Sequence, residues 1–165
     1  HVAMSEYYFD ADAQVKYYLA ESGSVWVRGL IRETNENGEP FHQCYTVDVS
    51  QVEVSAALAV AHRTGRIDSE MQRAAFERHM SEIADTFQLV STDPALIVDA
   101  AQLTQKHSLK ALDAIHLAAA VRLSRALAEY QLPLTLVSSD RQLLTAAIAE
   151  SLRVENPASH ADPND

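Results

Sequence analysis

The chain has a single cysteine, Cys44. An internal disulfide is therefore excluded, and so is a metal site built on paired thiolates, which makes a reducing, cytoplasmic setting the expectation. Long hydrophobic runs are missing as well. No apolar stretch approaches the roughly 20 residues that cross a bilayer, so no membrane span is expected. Nor is there a basic and apolar leader of the signal-peptide kind, and His1-Val2-Ala3 ahead of Met4 reads as an expression remnant. Positive charge is scarce. Thirteen Lys and Arg stand against 23 Asp and Glu, a formal net charge of −10. That balance argues against a broad basic surface that grips nucleic acid, but it is compatible with a cluster of acids that binds cations. No internal repeat is found, and the one low-complexity segment is the polar tail "ENPASHADPND", where a charge run is ordinarily a solvated one.

What is present is a globular composition, 47% hydrophobic and 22% charged over 165 residues. This suits one domain with a real core, placed over residues 4–157, with 158–165 expected as a flexible tail. Five short runs rich in β-branched and aromatic residues read as strands: "EYYFD" (6–10), "CYTVDVS" (44–50), "FQLV" (87–90), "LTLVSSD" (134–140) and "LRVEN" (152–156). Between them the apolar period is helical, in "AQVKYYLAE", "SVWVRGLIRET", "QVEVSAALAVAHR", "DSEMQRAAFERHMSEIADT", "PALIVDAAQLTQKH", "LKALDAIHLAAAV" and "RQLLTAAIAES". Asp68-Ser69 opens one of these helices, Gly65 closes the one before it, and Pro94 suits a first helical turn. "TNENGEP" (34–40) is a loop inside the domain. Strands alternating with helices define an α/β fold, a three-layer α/β/α sandwich around a central parallel sheet of four to five strands.

In such a sheet ligands bind beyond the carboxyl ends of the strands. Asp10 and Asp140 each come directly after a run that should be buried, although taken singly each is the ordinary cap of the next helix. "SQVE", residues 50–53, has the form of a capping box, with Ser50 as cap and Glu53 reaching back to it; alternatively Glu53 points toward the strand-end crevice. Asp113 and His116 stand three apart on one face of an apolar helical run. A buried carboxylate without a partner is costly, so Asp113 is either a local partner of His116, a helix cap, or part of a site. Should the four acids converge, their repulsion would force protons onto some of them unless a hard divalent cation neutralised the group. Oxygen ligands suit Mg²⁺ or Mn²⁺, and no Cys/His spacing suggests zinc.

The ordered set "YYFDADAQVKYYLAESGS", "VSQVEVSAALAVAHRTGRI", "LKALDAIHLAAAVRL" and "LTLVSSDRQLLTAAIAESLRVENP" resembles the PIN-domain ribonucleases, in particular the VapC-type toxins of toxin–antitoxin pairs. The resemblance implies a parallel sheet between helices, an acidic pocket holding Mg²⁺ or Mn²⁺, and cleavage of RNA. Asp10, Glu53, Asp113 and Asp140 match the family's four acids. Asp10 and Asp113 are then the main metal ligands, Asp140 completes the site directly or through water, and Glu53 positions or deprotonates the attacking water. His116 is a packing and hydrogen-bonding support. A small antitoxin is the implied partner, with a homodimer or a toxin–antitoxin hetero-oligomer as the assembly; Trp26, Val27 and Leu30 on the second helix offer a surface for it, or else belong to the core. Asp12 departs from the family, which has Ser or Thr there. Lys16, Arg141 and Arg28 are candidates for RNA phosphates, a thin set. Two other readings compete. "YYFDADAQV" also looks like the nucleophile motif of haloacid-dehalogenase-type phosphatases, with Asp10 as nucleophile, but Ala13 and Gln14 replace that motif's usual Gly and Thr. A non-catalytic PIN scaffold that binds a partner protein is the other.

Overall fold

The computed structural model describes residues 4–165; the reading of residues 1–3 lies outside them. Five strands alternate with seven α-helices among the described residues. The strands are β1 (Glu6–Phe9), β2 (Gln43–Val47), β3 (Gln88–Val90), β4 (Leu134–Val137) and β5 (Arg153–Glu155). The helices are α1 (Ala11–Tyr18), α2 (Ser24–Arg32), α3 (Ser50–Arg63), α4 (Ser69–Thr86), α5 (Pro94–Lys106), α6 (Ala111–Ala128) and α7 (Arg141–Ala149). The sheet order is β3-β2-β1-β4-β5, and every pairing is parallel. The α/β sandwich expected from the alternating periods is the fold observed.

β1 is the central strand and is covered on both faces, which is why its residues are apolar without alternation. Tyr8 points into the core beneath α5, α6 and α7, with Leu117, Leu136 and Leu143. Phe9 points the other way and packs with Val27, Val137, Ile83 and Phe87, where α2, α4 and α1 cover the sheet. Val54 and Leu58 then join α3 to α1 in a third cluster. The expected helix boundaries are observed at Asp68, which caps α4 through the Met71 amide, at Gly65 with φ +76°, and at Pro94 in the first turn of α5 behind its cap Asp93.

Two connections leave β1 and β4 beside each other, in register from Glu6↔Leu134 to Phe9↔Val137. The chain from β1 passes to α1 on one face, and the chain from β4 passes to α7 on the other. A cleft at the carboxyl end of these two strands follows from that divergence.

The C-terminal segment departs from expectation. Residues Pro157–His160 form a short 3-10 helix, and the His160 ring stacks on Trp26 at 4.2 Å with an interplanar angle of 3°. The amides of Gly23 and Val25 donate to the Asp165 carboxylate at 2.8 and 2.7 Å, so the tail caps the α2 N-terminus. A polar composition concealed this because the contacts are made by one ring and one carboxylate. Gly23 is required here twice over, by its φ of +89° and because a Cβ would sit 2.4 Å from the Pro157 carbonyl oxygen. Gly23→Ala is expected to cost at least about 1–3 kcal/mol and to release the tail; an unchanged melting temperature would show that the tail is not docked this way.

Candidate active site

Asp10 is the residue after β1 and the N-cap of α1, so the cap and the site occupy one side chain. Its Oδ1 accepts from the Ala13 amide at 2.8 Å, and its Oδ2 accepts from the Ser138 hydroxyl just beyond β4. Ser138 Oγ in turn accepts from the Asp140 amide at 3.0 Å. Asp140 caps α7 by accepting from the Leu143 amide at 3.0 Å. The parallel β1–β4 register thus ties two acids that are far apart in sequence.

Glu53 does not close a capping box. Ser50 is already helical, the cap position Val49 has helical backbone, and no side chain caps the helix. The Ser50 hydroxyl is buried without a partner. Glu53 instead leaves the first turn of α3 and accepts from His116 Nε2 at 2.7 Å, while His116 Nδ1 lies 2.8 Å from the Tyr8 hydroxyl. His116 is 1% exposed. It is the deeply buried polar group of α6, and its role as a hydrogen-bonding support is to link β1 to α3.

Asp113 differs from the buried carboxylate that its apolar neighbours suggested. α6 begins at Ala111, since Lys110 is extended (φ −70°, ψ 158°), so Asp113 falls in the first turn and is only partly buried. It is not hydrogen-bonded to His116, both of whose ring nitrogens are engaged elsewhere. Asp12 lies in the first turn of α1. All five acids therefore stand at or near helix N-termini, where the positive end of the helix dipole favours negative charge.

The electrostatics tie them together. Burial pushes the Asp10 carboxyl up to about 6, against the opposing effects of His116, the Ser138 hydroxyl and the Ala13 amide. Asp12 is raised by burial and then by the charges of Glu21, Glu53 and Asp140. Asp113 is raised by burial and then by Asp140, with Asp12 and Glu53 adding to it. For His116, burial is the largest single influence and lowers its pKa, but the Glu53 hydrogen bond and the charges of Glu53, Asp10 and Asp113 together raise it. Among the described residues, no Lys or Arg forms an ion pair with Asp10, Asp12, Glu53, Asp113 or Asp140. The negative charge at this rim is opposed by one imidazole and by helix ends.

That donor set fits a hard divalent cation in kind: all oxygen, several charges, no thiolate. Among the described residues, no three His, Cys, Asp or Glu side chains stand close enough to form a ready coordination sphere. Both oxygens of Asp10 are occupied by protein hydrogen bonds. Another strand-end acid, Asp48 after β2, serves the fold, since its carboxylate accepts from the Thr92 amide and hydroxyl.

Sequence reasoning missed Ser138 and Tyr8. The paired serines of "VSSD" were the available signal for the first; Tyr8 has none, because its partner lies on a helix 108 residues away. The candidate RNA contacts separate as well. Lys16 is buried on α1, Arg141 starts α7 beside Asp140, and Arg28 on α2 faces the Asp165 carboxylate of the tail. Val27 and Leu30 belong to the core, and Trp26 is covered in part by His160.

The family model of the PIN domain matches residues 7–149. This chain belongs to the PIN-domain family. The match spans "YYFDADAQV", so the resemblance of that segment to a phosphatase nucleophile motif carries no further weight. Among solved structures the chain is similar to FitAcB from Neisseria gonorrhoeae, at 17% identity and a TM-score of 0.59 over 92% of this chain and 97% of that one. It is also similar to VapBC2 from Rickettsia felis, solved bound to a DNA fragment from their promoter, at 10% identity and a TM-score of 0.57 over 92% and 98%. A toxin–antitoxin complex from Klebsiella pneumoniae gives 16% identity and a TM-score of 0.53 over 91% and 96%. No curated protein matches the sequence. No helix of the described residues is long and apolar enough to cross a membrane.

Proposed function

We propose that this protein is a metal-dependent endoribonuclease, the toxin of a toxin–antitoxin pair acting in the cytoplasm. The observation that carries the reading is the rim itself: burial raises the carboxyls of Asp10, Asp12 and Asp113, the charge of Asp140 adds to the last two, and among the described residues no lysine or arginine forms an ion pair with them. Asp10, Asp113 and Asp140 would hold Mg²⁺ or Mn²⁺. Such an ion supplies charge stabilisation for an in-line phosphodiester displacement and lowers the pKa of water.

The chain's own residues do the rest. Ser138 fixes the Asp10 carboxylate by its hydroxyl and Asp140 by accepting that residue's amide proton. His116, anchored by Tyr8, holds one oxygen of Glu53. The other oxygen makes no hydrogen bond with a described residue and can take a proton from the attacking water. RNA approaches an acidic rim, so affinity for the phosphate backbone depends on the bound cation.

The partner reading is supported by the likeness to the toxin–antitoxin complex from Klebsiella pneumoniae. An antitoxin would cover this rim and present a cation to the acids, giving a hetero-oligomer in place of a free toxin or its homodimer. Incubation of the purified protein with RNA is the test. Cleavage with Mg²⁺ or Mn²⁺ and none with EDTA is expected, and addition of a small protein encoded beside this one should stop it. RNA left intact in both metals would contradict the reading and leave a PIN scaffold without turnover.

A further inference from the structure

Trp26 and Gly29 of α2 and its C-cap Glu33 are spaced so that they share one face of the helix. A groove of about 640 Å³ lies against that face, with Tyr7 of β1 and Glu155 of the edge strand β5 also in its lining. None of the rim acids lines it. The chain's own tail occupies part of this groove. The His160 ring lies flat on Trp26 at 4.2 Å with an interplanar angle of 3°, and its Nε2 is 2.8 Å from a Glu155 carboxylate oxygen.

The fold itself gives no reason for Gly29. Glycine is a poor helix former, yet its φ here is not left-handed and an added Cβ would meet nothing within 4 Å. What the missing side chain does is keep the groove open beside Trp26. The charges in the lining favour a cation. Glu33 gives one oxygen to His42 at 2.9 Å and Glu155 gives one to His160, and the second oxygen of each makes no hydrogen bond with a described residue. Burial raises the pKa of the Tyr7 hydroxyl and the charges of Glu155 and Glu33 raise it further, so both carboxylates bear on the same space. Arg32 is also in the lining, but its guanidinium sits over the Tyr17 ring at 5.3 Å and pairs with neither of them.

A flat ring against Trp26 with a carboxylate at its edge is thus a pose that the groove already holds, with His160 in it. Arginine meets both demands better than histidine does. Its guanidinium is planar and always charged, stacks on aromatic faces, and pairs with a carboxylate through two parallel hydrogen bonds. A nucleobase would stack as well, but its phosphate would face Glu33 and Glu155. We infer that this groove is a docking site for an arginine-bearing segment of a basic partner protein, and that His160 of the tail is a placeholder which the arginine displaces from Trp26. A net charge of −10 draws such a partner from a distance. The inference goes beyond the RNA-cleavage reading and does not depend on it.

Trp26 is the chain's one tryptophan, so its fluorescence reports on the groove directly. The probe is acetyl-arginine amide, titrated into the full chain at constant ionic strength, with acetyl-citrulline amide as its uncharged isostere. A saturable change in emission with the arginine probe, and none with the citrulline one, is expected. His160→Ala should strengthen arginine binding about two- to fivefold by removing the competitor, the worth of an exposed cation–π contact. Gly29→Leu fills the groove and should abolish binding. Leucine favours a helix more than glycine does, so this variant keeps its fold and decides the matter if the His160 variant does not. An emission change that does not saturate, an equal response to citrulline, or full binding by folded Gly29→Leu protein would overturn the docking site. Unchanged affinity in folded His160→Ala protein would overturn the placeholder. Each of these results leaves the nuclease reading where the RNA assay puts it.

Discussion

Asp10→Asn is expected to abolish RNA cleavage and, in the same molecule, to raise the melting temperature of the metal-free protein at about pH 8. Asp10 is 3% exposed and its carboxyl is pushed up to about 6 by burial. Relative to its ordinary value of 3.8 that shift corresponds to about 3 kcal/mol. The sign follows from proton linkage. Below the ordinary value the carboxyl is neutral in both states and the substitution changes little. As pH rises toward about 6, the folded state keeps a proton that the unfolded state has lost, so wild-type stability falls. Above that the full cost of a buried charge stands, and the neutral amide escapes it. Asparagine also caps a helix as well as aspartate does. For a domain of this size the gain amounts to roughly 6–12 °C, opening between about pH 4 and 6. Equal melting curves for the two proteins across that range would show that Asp10 is not under the electrostatic load described.

Glu53→Gln separates chemistry from metal binding. The amide oxygen can still accept from His116 Nε2, so the Tyr8–His116 link and the α3 anchor survive. What is lost is the free carboxylate oxygen that takes the proton. A fall of about 10²–10⁴ in kcat is expected, the usual worth of a positioned general base, while affinity for Mn²⁺ measured by calorimetry stays near wild type. A variant that cleaves at the wild-type rate would remove Glu53 from the proton transfer. One that instead loses Mn²⁺ would make it a ligand.

The parts of this protein that were legible from sequence are those set by local pattern. Strand β1 reads as "YYF" because both its faces are buried, and Asp68, Gly65 and Pro94 mark helix ends by side-chain and backbone chemistry that acts within a few residues. Asp10 and Asp140 could be placed at strand ends for the same reason. The misplacements come from tertiary contacts. The apolar run at 109–121 hides the break at Lys110 that leaves Asp113 in an opening turn. Ser50 and Glu53 have the spacing of a capping box, yet Glu53 is drawn to a histidine 63 residues away. Ser138 meets Asp10 only because β1 and β4 pair in parallel register. The tail was expected to be loose because its composition is polar, and it is held by a carboxylate at a helix N-terminus.

The claim on which the rest depends is that carboxylates gathered at one rim of the sheet hold a divalent cation. Calorimetric titration of metal-free protein with Mn²⁺ tests it most directly. Saturable binding by the wild type, weakened at least about tenfold in both Asp10→Asn and Asp113→Asn with their folds intact, is the expected result; each tenfold corresponds to about 1.4 kcal/mol. Binding of equal strength in all three proteins would place the cation elsewhere and contradict the account.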